Sequence, residues 1–140
     1  MYATAEDFIS RIGEFQAIQL TDRDREGVVN DSVLTIALSD STSQIEGYLS
    51  ARYRLPLPSV PQNLTRICCD LTRYRLASMS EVGITDEIIT RYKLSVKELE
   101  DLAAGKISLG IDIEDEQQGD GNAVMFSNPN NRIFSRDNRN

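Results

Sequence analysis

The 140-residue sequence contains no histidine. Histidine is the commonest general base of enzymes and the commonest ligand that proteins offer to metals. Its absence excludes a Ser-His catalytic triad, a zinc site of mixed ligands and a histidine-based pH switch.

Cysteine is also scarce, since the only two are the adjacent Cys68 and Cys69. In a helix their side chains point about 100° apart, so we expect no bond between them. Free cysteines are usually small core residues. We expect that role here, with a redox or metal-binding role as the alternative.

Long apolar runs and excess positive charge are missing as well. No run approaches 18 apolar residues, and the first eight residues are polar and acidic, unlike a signal peptide. We therefore expect a soluble protein that is not exported by that route and has no membrane partner. The net charge of -7 disfavours a protein whose main affinity is for the phosphate backbone.

What the sequence does contain is helical periodicity, over a length that suits one domain. A long amphipathic helix is expected to start after an N-cap at Asn30 or Asp31, and to stop in a proline-rich elbow after Tyr53. Its apolar stripe consists of Val33, Leu34, Ala37, Leu38, Ile45, Tyr48 and Leu49.

Two further long helices and a short N-terminal region complete the predicted fold. One helix begins near Pro61 and continues to about residue 78, and the next runs from a cap at Thr85 to Gly105. Before them, Thr4 and Asp7 suggest a capping box, Gly13 ends a short helix, and Phe15, Ile18 and Leu20 form a second apolar turn that docks on the long helix.

The predicted fold class is mainly α, a small antiparallel helical bundle with an extended or β-like C-terminal arm. The bundle has three main helices and one or two short N-terminal helices. Its predicted core consists of Leu34, Leu38, Ile45, Tyr48, Leu64, Ile67, Leu71, Tyr92, Val96 and Leu99.

Composition divides the chain into a helical domain and two C-terminal segments. Residues 1–110 form the helical bundle, residues 111–122 an acidic linker that cannot bury enough to order alone, and residues 123–140 an apolar, basic arm. The arm is expected to dock on a partner, with a hairpin folded onto its own core as the alternative. The proposed docking residues are Phe126, Arg132, Ile133, Phe134, Ser135 and Arg136.

Five arginines form the second candidate site. Arg52, Arg54, Arg66, Arg73 and Arg75 are interpreted either as a solvated face with local ion pairs, such as Arg66 with Asp70, or as a basic patch that meets a neighbouring subunit. The sequence has no residue spacing typical of a catalytic, phosphate-binding or calcium site. We therefore expect no enzyme activity, no cofactor and no metal.

Several sequence blocks, taken in order, resemble the Mu-like prophage head-to-tail joining proteins. They are MYAT at the N-terminus, the AL, YL, RY, LPL and VP pairs and triplets between residues 37 and 61, CDL-x-RYRL at 69–76, L-x-x-LAAGKISLG at 99–110 and RIFSRD at 132–137. The resemblance covers nearly the whole chain.

The resemblance implies a structural virion protein of a tailed phage or prophage. Such a protein would act as a head–tail connector or adaptor, forming a homo-oligomeric ring under the portal protein and contacting tail-side connector proteins. It would touch DNA only as a channel wall, and would lie at the head–tail junction of the virion after assembly from the host cytoplasm. The alternative from another class is a small helical nucleic-acid-binding regulator that uses the five arginines.

Overall fold

The computed structural model describes residues 1–111, which form five α-helices joined by loops. The helices are α1 (Ala5–Ile12), α2 (Glu14–Thr21), α3 (Asp31–Leu49), α4 (Gln62–Met79) and α5 (Asp86–Ala104). The predicted mainly helical class, with three long and two short helices, is confirmed for this part of the chain. The acidic linker from residue 112 onward and the arm at 123–140 lie outside the described residues, so the extended or β-like arm remains a prediction.

The helix ends follow from local capping chemistry. Thr4 and Asp7 form the predicted capping box, in which the Thr4 amide donates to the Asp7 carboxylate at 2.9 Å and the Asp7 amide donates to the Thr4 hydroxyl at 3.1 Å. For α3 the cap is Asn30, whose side-chain oxygen accepts from the Val33 amide at 3.1 Å. Thr85 caps the start of α5, and Gly105 ends it in the left-handed conformation.

The proline-rich elbow turns the chain between α3 and α4. Helix α3 ends at Leu49, and Tyr53 is buried beneath the elbow. The Tyr53 hydroxyl accepts a hydrogen bond from the Leu109 amide at 3.1 Å. The segment after α5 therefore returns to the elbow, where Leu109 and Ile111 pack against the core.

Polar contacts between α4 and α5 show how these two helices are oriented relative to each other. Asn63 at the start of α4 donates to Glu98 in the second half of α5, whereas Arg73 farther along α4 pairs with Glu87 near the start of α5. These contacts require α4 and α5 to run antiparallel.

The core lies where α3, α4 and α5 meet, with α1 and α2 covering one side. All the leucines and isoleucines of the predicted core are buried, while Tyr48, Tyr92 and Val96 are partly buried at its edge. The Tyr92 ring stacks on the Tyr74 ring with centroids 3.9 Å apart.

One predicted contact of α2 is wrong. Phe15 is 76% exposed, whereas Leu20, also predicted to dock, is buried, and Ala17 is buried beside it. Helix α2 starts at Glu14, so Phe15 lies in its first turn, two residues and about 200° around the helix from the buried Ala17, on the outward face. Among residues 1–111, no helix is both long enough and apolar enough to cross a membrane.

Candidate functional site

The five candidate arginines have separate environments. Arg52 donates to the Leu102 carbonyl at 3.3 Å, which ties the elbow to the end of α5, and Arg75 donates to the Gln44 side chain at 2.9 Å on α3. Arg54 is exposed. Of these five, Arg66 and Arg73 line a common groove formed by the described residues.

Arg66 is the centre of a polar seam between α4 and α5. Its guanidinium lies 2.6 Å from the Glu98 carboxylate and 3.3 Å from that of Asp70. It also donates to the Asn63 side-chain oxygen at 2.7 Å, and Ser95 donates to Asp70 at 3.0 Å. The predicted pairing of Arg66 with Asp70 is therefore present, and the seam fixes the Arg66 side chain to both helices.

Glu87 joins two further arginines on the same side of the bundle. Its carboxylate accepts from Arg91 at 3.1 Å and from Arg73 at 3.3 Å. The Arg91 hydrogen bond, with the positive charge of Arg73, lowers the pKa of Glu87 below its usual value. The Arg73 Nε atom is buried and has no acceptor among residues 1–111, so hydrogen bonds from these residues satisfy only part of the Arg73 guanidinium.

These side chains border one recess, which we call the arginine groove. The groove encloses about 480 Å³ between α1, α2, α4 and α5. Its lining consists of Arg11, Ile12, Gln16, Arg66, Cys69, Asp70, Arg73, Glu87 and Arg91. A shallower depression, lined by Arg11, Gln62, Asn63 and Arg66, adjoins it.

The arginine groove is locally positive on a chain whose net charge is -7. Four arginines line it against the two carboxylates of Asp70 and Glu87. Sequence reasoning missed Arg11 and Arg91 as members, because the packing of α1 and α5 against α4 brings them there. The one signal in the sequence for Arg91 is its spacing of four residues from Glu87, which favours an ion pair on a helix, and the two side chains are paired in the structure.

A second recess, the end cleft, lies at the opposite end of the bundle from the elbow. It encloses about 240 Å³ beside Leu20, Met79 and Val82, and is edged by charged residues including Arg23 and Glu81. Met79 and Val82 are more than half exposed. The end cleft thus combines a few exposed apolar side chains with a larger number of polar and charged ones at the junction of two loops.

The described residues offer few groups suited to chemistry. Within residues 1–111, no three Cys, Asp or Glu side chains lie close enough together to hold a metal ion. Cys68 and Cys69 are buried and unbonded, as expected of core cysteines. Burial raises the pKa of both thiols, that of Cys69 to about 12, so they stay protonated and unreactive near neutral pH.

The predicted docking residues of the arm fall outside the described part of the chain. These residues are Phe126, Arg132, Ile133, Phe134, Ser135 and Arg136. Their role stays a prediction from the sequence.

Comparison with known proteins gives matches along almost the whole chain. The family described as "Bacteriophage Mu, Gp36" matches residues 2–128. "Gene product J" of Escherichia phage Mu is 32% identical over 136 residues, which cover 96% of this chain and 94% of that protein. "Mu-like prophage FluMu protein gp36" of Haemophilus influenzae is 32% identical over 126 residues, covering 90% of this chain and 87% of that protein.

Proposed function

The chain belongs to the bacteriophage Mu Gp36 family, and on that premise we propose that this Mu-like phage protein is a head–tail connector. In this proposal, copies of the chain form a ring beneath the portal protein, extend the DNA channel and present a surface to tail-side connector proteins. The chain acts as a structural part of the virion and has no catalytic role. The observation that carries the proposal is the nearly end-to-end match to Mu-like phage proteins.

The contacts among the described residues support a structural role for the chain as a subunit of a larger assembly. The charged side chains of the long helices are used to brace one helix against another, as in the Arg66 seam with Asp70 and Glu98. The surface of residues 1–111 also includes two recesses of different character, the arginine groove and the end cleft. A ring subunit needs separate surfaces of this kind, because each copy contacts two neighbours through different faces.

The overall charge suits a DNA conduit. A channel wall with excess carboxylates repels phosphates, whereas a basic wall binds them and slows their passage. The net charge of -7 therefore supports a chain that lines the channel without holding the genome.

A phage or prophage carrying this gene provides the test. We expect inactivation of the gene to yield DNA-filled heads and finished tails that remain separate, and a plasmid copy of the gene to restore joined particles. Electron micrographs of lysates would show the difference. Joined, infectious virions from the inactivated strain would refute the connector role.

The positive charge of the arginine groove favours a second candidate function, that of a small nucleic-acid-binding regulator. Such a protein would bind duplex DNA with an affinity that falls steeply as salt rises, because binding releases counterions. A titration with duplex DNA at two salt concentrations separates the candidates. The connector predicts no measurable binding at physiological salt, and a steep salt-dependent affinity would favour the regulator.

A further inference from the structure

We propose that the arginine groove is the binding site for the acidic segment 112–120 of a neighbouring copy of this chain. The inference deepens the proposed function and rests on it, because the ring supplies the neighbouring copy. It assigns one of the subunit contacts to a named surface and a named segment.

The groove offers guanidinium groups that are incompletely neutralised. Arg11 is exposed and forms no ion pair with any of residues 1–111. Arg73 and Arg91 share the single carboxylate of Glu87, and the Arg91 side chain is about half exposed. Guanidinium forks bind carboxylates through paired, charge-assisted hydrogen bonds. The groove is therefore suited to additional carboxylates.

The segment that follows the described residues has matching chemistry. It reads DIEDEQQGD from residue 112 to 120 and carries five carboxylates without a basic residue. Its composition offers little apolar surface to bury, so charge-assisted contacts with an oppositely charged recess are the interactions it is suited to make.

The position of residue 111 favours a neighbouring copy over the same chain as the donor of the acidic segment that occupies the groove. The Leu109 amide bonds to Tyr53, and Ile111 packs against the core, so the segment starts at the elbow. Arg73 lies about 16 Å along α4 from that helix's first residue, at a rise of about 1.5 Å per residue. An extended chain covers that distance in about five residues, so the chain's own segment would have fewer carboxylates left for the Arg73 end of the groove than a neighbour's whole segment.

The carboxylates already in the groove argue against nucleic acid as the occupant. Duplex DNA carries one charge per roughly 1.7 Å of its axis, and a continuous row of phosphates would meet Asp70 and Glu87. A peptide can space its carboxylates between these two residues.

The test is a binding titration with a labelled peptide of residues 111–122 and the full-length protein, followed by fluorescence anisotropy. We expect salt-sensitive binding, and no binding of the same peptide with Asn and Gln in place of its acids. The double substitution Arg11→Gln/Arg91→Gln should weaken binding at least about tenfold, since two charge-assisted hydrogen bonds are lost. The matched control Arg54→Gln/Lys93→Gln removes the same charge from exposed positions outside the groove and should leave the affinity within about twofold, as expected for exposed charges outside the contact.

Several outcomes would overturn the inference. They are absence of peptide binding, an equal loss in the control variant, or displacement of the peptide by duplex DNA of similar length. If replacing the chain's own five carboxylates by amides tightens peptide binding tenfold or more, the segment binds its own groove and the neighbour is refuted. Should the double variant unfold, Arg11→Gln alone gives the same comparison.

This titration needs neither portal protein nor phage particles. A chain that binds the peptide and yet plays no part in joining heads to tails would refute the proposed function alone. Loss of peptide binding in a chain that still joins particles would refute this inference alone.

Discussion

Single hydroxyl groups connect the long helices inside the core. Thr72 on α4 donates to the Ser41 hydroxyl on α3 at 2.9 Å, and both side chains are buried. Ser41→Ala should lower the free energy of unfolding by about 1–3 kcal/mol, because the Thr72 hydroxyl loses its acceptor. The double variant Ser41→Ala/Thr72→Val should lose less than the sum of the two single losses in urea unfolding. Additive losses would show that the two hydroxyls do not interact.

Protonation of a capping carboxylate should weaken α1 in acid. The Thr4 amide, donating to the Asp7 carboxylate, lowers the pKa of Asp7. The contribution of Asp7 to stability is therefore complete above the unfolded-state pKa of about 3.9 and is lost as the pH falls through the lower folded-state value. Asp7→Asn should make the decline in unfolding free energy between about pH 5 and pH 2 shallower.

A matched substitution of another exposed carboxyl serves as the control for that acid effect. Asp24 lies in the exposed loop between α2 and α3. Asp24→Asn should leave the decline close to that of the natural chain. Equal slopes for the Asp7 variant and the natural chain would contradict the capping account.

At the scale of helices, two glycines should respond oppositely to alanine. Gly105 ends α5 with φ of +82°, and an added Cβ would lie 3.3 Å from the Arg52 guanidinium carbon. Gly105→Ala should therefore lower the unfolding free energy by about 1 kcal/mol or more. Gly47 lies within α3 with open space around it, so Gly47→Ala should raise the unfolding free energy by roughly 0.5–1 kcal/mol. Urea midpoints that move in the same direction would contradict this account.

The helices could be predicted from the sequence because their signals are local. The Thr4 capping box, the Thr85 cap and the Gly105 stop each depend on residues within one or two turns. The prediction of which face of α2 is buried was wrong for Phe15. This helix has only eight residues, so its apolar pattern repeats too few times to show which face packs on the bundle. The arginine groove depends on packing between helices distant in sequence, so no local pattern placed Arg11 beside Arg73.

For the whole molecule, the C-terminal arm should matter to assembly and not to the stability of the bundle. In the full-length chain, Ile133→Ser/Phe134→Ser should abolish plaque formation in a complementation assay while leaving the unfolding midpoint unchanged. The expected reason is loss of the apolar side chains that dock on the portal or an adjacent subunit. The control Asn128→Ser/Asn130→Ser changes polar residues of the same arm and should complement normally. Full complementation by the Ile133/Phe134 variant would argue against the docking arm.

As a head–tail connector, the chain must be a subunit that assembles on another ring. A chain of this size can be monomeric when isolated and still assemble, because a segment that orders on binding acquires its contacts only with the partner. Self-association of the isolated protein is therefore the weaker test. Assembly on the portal is the direct one.

The most direct measurement is the mass of purified portal rings, by light scattering, before and after addition of excess protein. The connector account predicts a discrete increase that saturates at a fixed number of chains per portal ring. A portal mass that stays unchanged at saturating protein, with both components folded, would contradict it.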